Sequence, residues 1–107
     1  MKKIQAIIRS TKYEQVRDAL HKIGVESFIF YEVKGVSFQI EQKGSYRGMS
    51  TYDSSGSIPR RVIEVVVPED DVAEVIQIIK KAAYTGEVGD GKIYISAIET
   101  AIRISIK

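Results

Sequence analysis

Twice in this chain an apolar run of strand character leads within a few residues into a stretch of helical periodicity. The first unit is residues 3–9 (Lys-Ile-Gln-Ala-Ile-Ile-Arg), followed by Tyr13, Val16, Leu20 and Ile23 on one helical face. The second is residues 60–67, ended by Pro68 and followed by Val72, Val75, Ile76, Ile79 and Ala83 at the same spacing. Further runs at 27–35 and 92–98 read as strands. So does the alternating run 102–106, which places Arg103 and Ser105 opposite three isoleucines. Thr11 is predicted to cap the first helix with Glu14 completing a capping box, and Gly24 to end it in the left-handed conformation. His21 falls off the apolar stripe and reads as solvated.

The order is therefore β-α-β-β-α-β plus a terminal strand, in one domain over residues 1–107. Two β-α-β halves fold as an antiparallel sheet with both helices on one face, the α+β, ferredoxin-like arrangement. Phe28, Phe30, Ile40 and the many isoleucines supply more apolar side chains than one covered face needs, which points to a symmetric oligomer.

Composition narrows the chemistry. The chain has no cysteine and one histidine, which excludes thiolate zinc sites, cysteine nucleophiles and multi-histidine metal centres. A net charge of +2 is too small to argue for nucleic acid, and the strands lack an aromatic RNA-binding platform. No apolar run approaches the ~18 residues of a membrane span, and no secretory leader pattern is evident, so the expected location is the cytoplasm. No nucleophile stands with a base, and turnover is not expected.

Two places offer binding chemistry. Thr85-Gly86-Glu87-Val88-Gly89-Asp90-Gly91-Lys92-Ile93 sets three glycines and a lysine in one turn. Glycines let backbone amides approach an anion, and a lysine adds a charge suited to phosphate. The spacing mimics a P-loop, but Ile93 stands where the magnesium-binding hydroxyl belongs and a strand follows. The plain alternative is a turn that only joins helix to strand. The second place is Glu64, the one acid inside a strongly apolar strand. It either faces solvent or accepts hydrogen bonds at a ligand pocket. Between the halves, residues 37–59 are rich in Ser, Gly, Gln, Lys and Asp, a loop long enough to be functional or disordered.

The chain also resembles the PII signal-transduction proteins, the trimeric regulators of nitrogen metabolism. The likeness is carried by Met1-Lys2-Lys3-Ile4 with Ala6-Ile7-Ile8, Glu32-Val33-Lys34-Gly35, Tyr46-Arg47-Gly48, and Ile63-Glu64-Val65-Val66-Val67-Pro68. It continues through Thr85-Gly86, Gly89 to Ile93, and Ala101-Ile102-Arg103-Ile104. The resemblance implies a homotrimer that binds an adenine nucleotide (ATP, ADP or AMP) between subunits. It implies Gly89, Asp90, Gly91, Lys92 and Arg103 around the phosphates, Glu64 and Val66 at the adenine, and Ile7 in the same nucleotide site. Gly35, Val36, Ser37, Phe38 and Gln39 would form the base of the long loop. Gln39 would help hold magnesium and 2-oxoglutarate. The loop, with Tyr46, Arg47, Gly48, Thr51 and Tyr52, would engage an ammonium transporter or a metabolic enzyme.

Departures from the family pattern qualify this. Phe38 and Ser105 stand where arginines are usual, Ile29 replaces a threonine, Arg60 a lysine, and Thr51 aligns with the modified tyrosine. Losing two guanidiniums, each worth roughly 1.5–3 kcal/mol in charge-assisted bonds, implies weaker preference for the triphosphate. The alternative is an interaction protein that keeps the assembly but uses its loop constitutively, with an altered nucleotide or 2-oxoglutarate response.

Overall fold

A computed structural model describes residues 1–36 and 57–106. The chain runs β1 (Lys2–Arg9), α1 (Tyr13–Lys22), β2 (Ile29–Val36), β3 (Ser57–Val67), α2 (Val72–Ala83) and β4 (Gly91–Ala97), with single 3-10 turns leading into both helices. The four strands form one antiparallel sheet in the order β2-β3-β1-β4, the ferredoxin-like α+β arrangement.

Strand alternation divides the sheet into two faces. Ile4, Ala6 and Ile8 of β1 and Ile63, Val65 and Val67 of β3 are buried beneath the helices. They meet Val16 and Leu20 of α1 and Val75, Ile79 and Ala83 of α2, the stripes read from helical spacing. His21 is exposed, as that spacing requires. Gly24 closes α1 at φ +94°, with its amide donating to the His21 carbonyl and the Val25 amide to the Leu20 carbonyl. This is the paired Schellman closure that a glycine at this position permits.

The structure corrects four expectations. Ser10–Lys12 form a 3-10 turn before α1, and neither helix entry carries a side-chain cap, so the Thr11–Glu14 capping box does not form. The β2–β3 hairpin takes Ser57, Ile58 and Pro59 out of the loop expected over 37–59. Pro59 lies beyond the last β1 pair, Arg9–Arg60, where β3 has only β2 beside it among the described strands. Residues 102–106 form no strand, and Ile102, Ile104 and Ile106 are 84%, 105% and 92% exposed. Finally, Phe28 and Phe30 are spent on the helix side, where Phe30 lies 4.8 Å from the Tyr13 ring. The apolar side chains on the open face are instead Ile7, Ile29, Tyr31, Val33, Ile58, Val62, Val66 and Tyr94.

No helix among the described residues is long and apolar enough to cross a membrane.

Candidate functional site

The turn between α2 and β4 is built by its own residues. Gly86, Gly89 and Gly91 adopt φ of +88°, +98° and +114°, a region L side chains rarely enter. At Gly91 a second constraint applies, because an added Cβ would lie 1.8 Å from the Ile7 carbonyl oxygen. Only glycine lets β4 start this close to β1.

Asp90 holds the turn from inside. Its carboxylate accepts hydrogen bonds from the Thr85 amide at 2.8 Å, the Gly86 amide at 3.1 Å and the Thr85 hydroxyl. The Thr85 hydroxyl oxygen in turn accepts from the Glu87 amide at 3.0 Å. From outside, Arg9 Nε donates to Asp90 at 3.1 Å and Arg9 Nη2 to the Val88 carbonyl at 2.8 Å. Arg60 Nη1 donates to the Gly89 carbonyl at 2.7 Å. Partial burial works against the charged carboxylate. The bonds from Thr85, Arg9 and Gly86 outweigh it and hold Asp90 at about 2. An acid beside an expected phosphate cradle thus turns its charge inward, compensated by Arg9.

Register assembles the rest of the site on the open face of the sheet. Lys92, Ile7, Val62 and Tyr31 lie in one row across the four strands. Tyr94, Gln5, Glu64 and Ile29 form the next row, and Val66 lies beyond. Glu64 is half-buried and partnered rather than simply solvated. Its carboxylate accepts from the Tyr31 hydroxyl at 2.5 Å and Gln5 Nε2 at 2.9 Å, with Lys3 Nζ at 3.7 Å. Those bonds, Tyr31 first, lower its pKa, and the bond to Glu64 raises that of Tyr31. At the hairpin stem, a Cβ on Gly35 would meet the Arg60 side chain at 3.4 Å. Gly35, Arg60 and Gly89 therefore link the base of the long loop to the glycine turn.

The structure thus brings Ile7, Gly35, Glu64, Val66 and Lys92 onto one sheet face, with Gly89, Asp90 and Gly91 at its edge. Val36 ends β2. Arg103 is not brought to them. The chain leaves the sheet at Ile98, bonded to the Met1 carbonyl, at the opposite end of β4 from Lys92 and about 20 Å away at strand rise. Ser37, Phe38, Gln39, Tyr46, Arg47, Gly48, Thr51 and Tyr52 lie outside the described residues. Among the described residues, no group of three or more His, Asp or Glu side chains could hold a metal ion.

Sequence reasoning missed Arg9 as a clamp, because a cation at a strand end carries no signal of its target. It also missed Arg61, for which a signal existed. Arg61 is in phase with Ile63, Val65 and Val67, and so had to lie on the helix side. There its guanidinium sits 4.5 Å from the Tyr13 ring centroid and 5.3 Å from that of Phe30, with Nη2 on Glu32 at 3.0 Å.

Comparison with known proteins shows the family. The sequence model of the family "Nitrogen regulatory protein P-II" matches residues 1–107. The chain is 41% identical to nitrogen regulatory protein GlnK of Escherichia coli over 97% of its own length and 91% of that protein. It is 42% identical to nitrogen regulatory protein P-II of Rhodospirillum rubrum, with the same coverage of both chains. It is 41% identical to nitrogen regulatory protein P-II 2 of Methanothermobacter thermautotrophicus, over 97% of this chain and 89% of that one.

Proposed function

Because this chain belongs to the P-II family of nitrogen regulatory proteins, we propose that it signals by binding an adenine nucleotide at the glycine turn and open sheet face, and that its long loop passes that state to a partner. The observation that carries this reading is the convergence of a pre-built glycine turn with Lys92, on the sheet face that also holds Ile7, Gly35 and Glu64. The amides of Thr85, Gly86 and Glu87 are already committed within the turn. The backbone of residues 89–91 then cradles the phosphates, and Lys92 supplies the point charge. The donor set fits a polyanion: positive-φ glycines, a lysine, and an aspartate whose charge is directed away. The adenine packs on Ile7 and Val66, with Glu64 held by Tyr31 and Gln5 as an oriented acceptor.

Two copies complete each cleft, in a homotrimer that also covers the open sheet face. Magnesium and 2-oxoglutarate, if used, bind with the nucleotide through Gln39. The loop engages an ammonium transporter or a nitrogen-metabolism enzyme. The Gly35–Arg60–Gly89 contact gives the bound state a physical route to the loop stem. The protein works by occupancy, without turnover.

Calorimetric titration with ATP, ADP and AMP tests the reading. Lys92→Ala is expected to lose about 1.5–3 kcal/mol of binding, roughly ten- to a hundredfold. With Phe38 and Ser105 in place of arginines, ATP is expected to gain little over ADP. Unchanged affinity in Lys92→Ala would remove that residue from the site. No binding of any adenine nucleotide would leave the constitutive-loop reading.

A further inference from the structure

We propose that Arg9 is a positioning residue of the phosphate cradle: it orients the Gly89 amide as a donor to the ligand and offsets the charge of Asp90 beside it. The role rests on the nucleotide reading above, and Arg9 fills it without touching the phosphates itself.

Register brings Arg9 to the turn. Pairing between β1 and β4 ends at Ile8–Gly91, so Arg9 stands one residue beyond it, beside the last residues of the turn. One edge of its guanidinium meets two acceptors. Nε donates to Asp90 Oδ1 at 3.1 Å and Nη2 to the Val88 carbonyl at 2.8 Å. The side chains of Arg9 and Asp90 are 19% and 24% exposed, so this is not one of the fully solvated ion pairs that contribute little. A planar fork fixes the carboxylate and the carbonyl relative to each other, which a single ammonium does not do.

Holding that carbonyl decides where the next amide points. Across a planar trans peptide the C=O and the following N–H are antiparallel. The described residues contain no cis peptide bond. With the Val88 carbonyl drawn to Arg9, the Gly89 N–H therefore faces away from the guanidinium. Arg60 does the same one residue later, holding the Gly89 carbonyl at 2.7 Å and turning the Asp90 N–H away from itself. The bonds inside the turn use the amides of Thr85, Gly86 and Glu87 and neither of these two. Successive outward amides at a glycine of φ +98° make a concavity for an anion.

Charge gives Arg9 its second task. An ionised carboxylate next to a phosphate is repulsive, and the repulsion grows where water is excluded. Arg9 sets a positive charge directly on Asp90, while the Thr85 and Gly86 amides and the Thr85 hydroxyl occupy its other lone pairs. Without Arg9 the Gly89 amide loses its fixed direction, and the cradle gains an unopposed negative neighbour.

The test uses the 15N-labelled full chain, titrated with ATP and ADP by calorimetry and by amide NMR. Arg9→Met keeps the aliphatic stem and loses both bonds. Arg9→Lys returns a cation that can meet one of the two acceptors. In the wild type, ATP is expected to move the Gly89 and Asp90 amide protons downfield. Arg9→Met is expected to bind ATP about tenfold more weakly and to lose the Gly89 movement, with the Thr85 and Gly86 signals still in their folded positions. Arg9→Lys is expected to fall between the two. Wild-type affinity in Arg9→Met would overturn the proposal and leave the nucleotide reading standing. Weaker binding with the Gly89 movement intact would also overturn it, since Arg9 would then act as a direct ligand or as charge alone. Should Arg9→Met fail to fold by circular dichroism, Arg9→Lys decides, and an affinity and Gly89 movement both equal to the wild type would overturn the proposal. No binding of either nucleotide by the wild type would overturn this role and the nucleotide reading together.

Discussion

The glycine turn at residues 85–91 and the C-terminal segment at 98–106 flank the same strand, and they settle in opposite ways. The turn closes on itself. Asp90 gathers the Thr85 and Gly86 amides, and Arg9 and Arg60 tie down two carbonyls. The tail buries no apolar face, and Ile102, Ile104 and Ile106 remain in water. Backbone polar groups can be satisfied locally by a short polar segment that carries its own acceptor. An apolar run cannot, because burial needs a second surface. One chain is therefore enough for the turn and too little for the tail.

The sharpest way to break the turn is Gly91→Ala. The new Cβ would collide with the Ile7 carbonyl oxygen, and the residue would sit at φ +114°. Strain and overpacking together are expected to cost about 3 kcal/mol or more. That corresponds to a melting midpoint lower by roughly 12 °C or more in thermal denaturation. A shift of a degree or two would mean the strands can part there without penalty.

Asp90→Ala comes next. It removes the acceptor of the inner bonds and the partner of Arg9, and a loss of about 1.5–3 kcal/mol is expected by urea denaturation at neutral pH. The sign with pH follows from the lowered pKa. In the folded chain Asp90 titrates at about 2. Its contribution is present above the ordinary carboxylate range near ~4 and is lost as pH falls from there toward 2. The wild type should therefore lose more stability between neutral pH and pH ~3 than Asp90→Ala does. Parallel pH curves would show that Asp90 carries no such linkage.

The smallest effect is expected in the tail. Ile104→Asp, measured in dilute protein, should change the melting of the single chain by no more than ~0.5 kcal/mol, because the side chain is fully exposed. A large destabilisation in the monomer would show that residues 98–106 pack on their own chain.

Much of this contrast could be read from residue order. The stripes Val16–Leu20 and Val75–Ile79–Ala83 report one burying face each, and the structure buries them. Gly24 and the glycines at 86, 89 and 91 were legible because positive φ selects glycine. The Thr11 cap failed because a 3-10 turn absorbs the entry to α1, a competition between local turns that spacing cannot resolve. The strand at 102–106 failed in the single chain because periodicity reports a preference for extended backbone, while pairing depends on a neighbour. The inward role of Asp90 was invisible, since it arises when Thr85 and Arg9, far apart in sequence, meet at one carboxylate.

The central claim is that the turn is a pre-built phosphate cradle, and hydrogen exchange with and without ATP tests it most directly. The expected result is slow exchange at the Thr85 and Gly86 amides before any ligand is added, with further protection over residues 89–91 when ATP binds. Exchange across 85–91 as fast as in an unstructured peptide without nucleotide, or protection by ATP that spares 89–91, would contradict it.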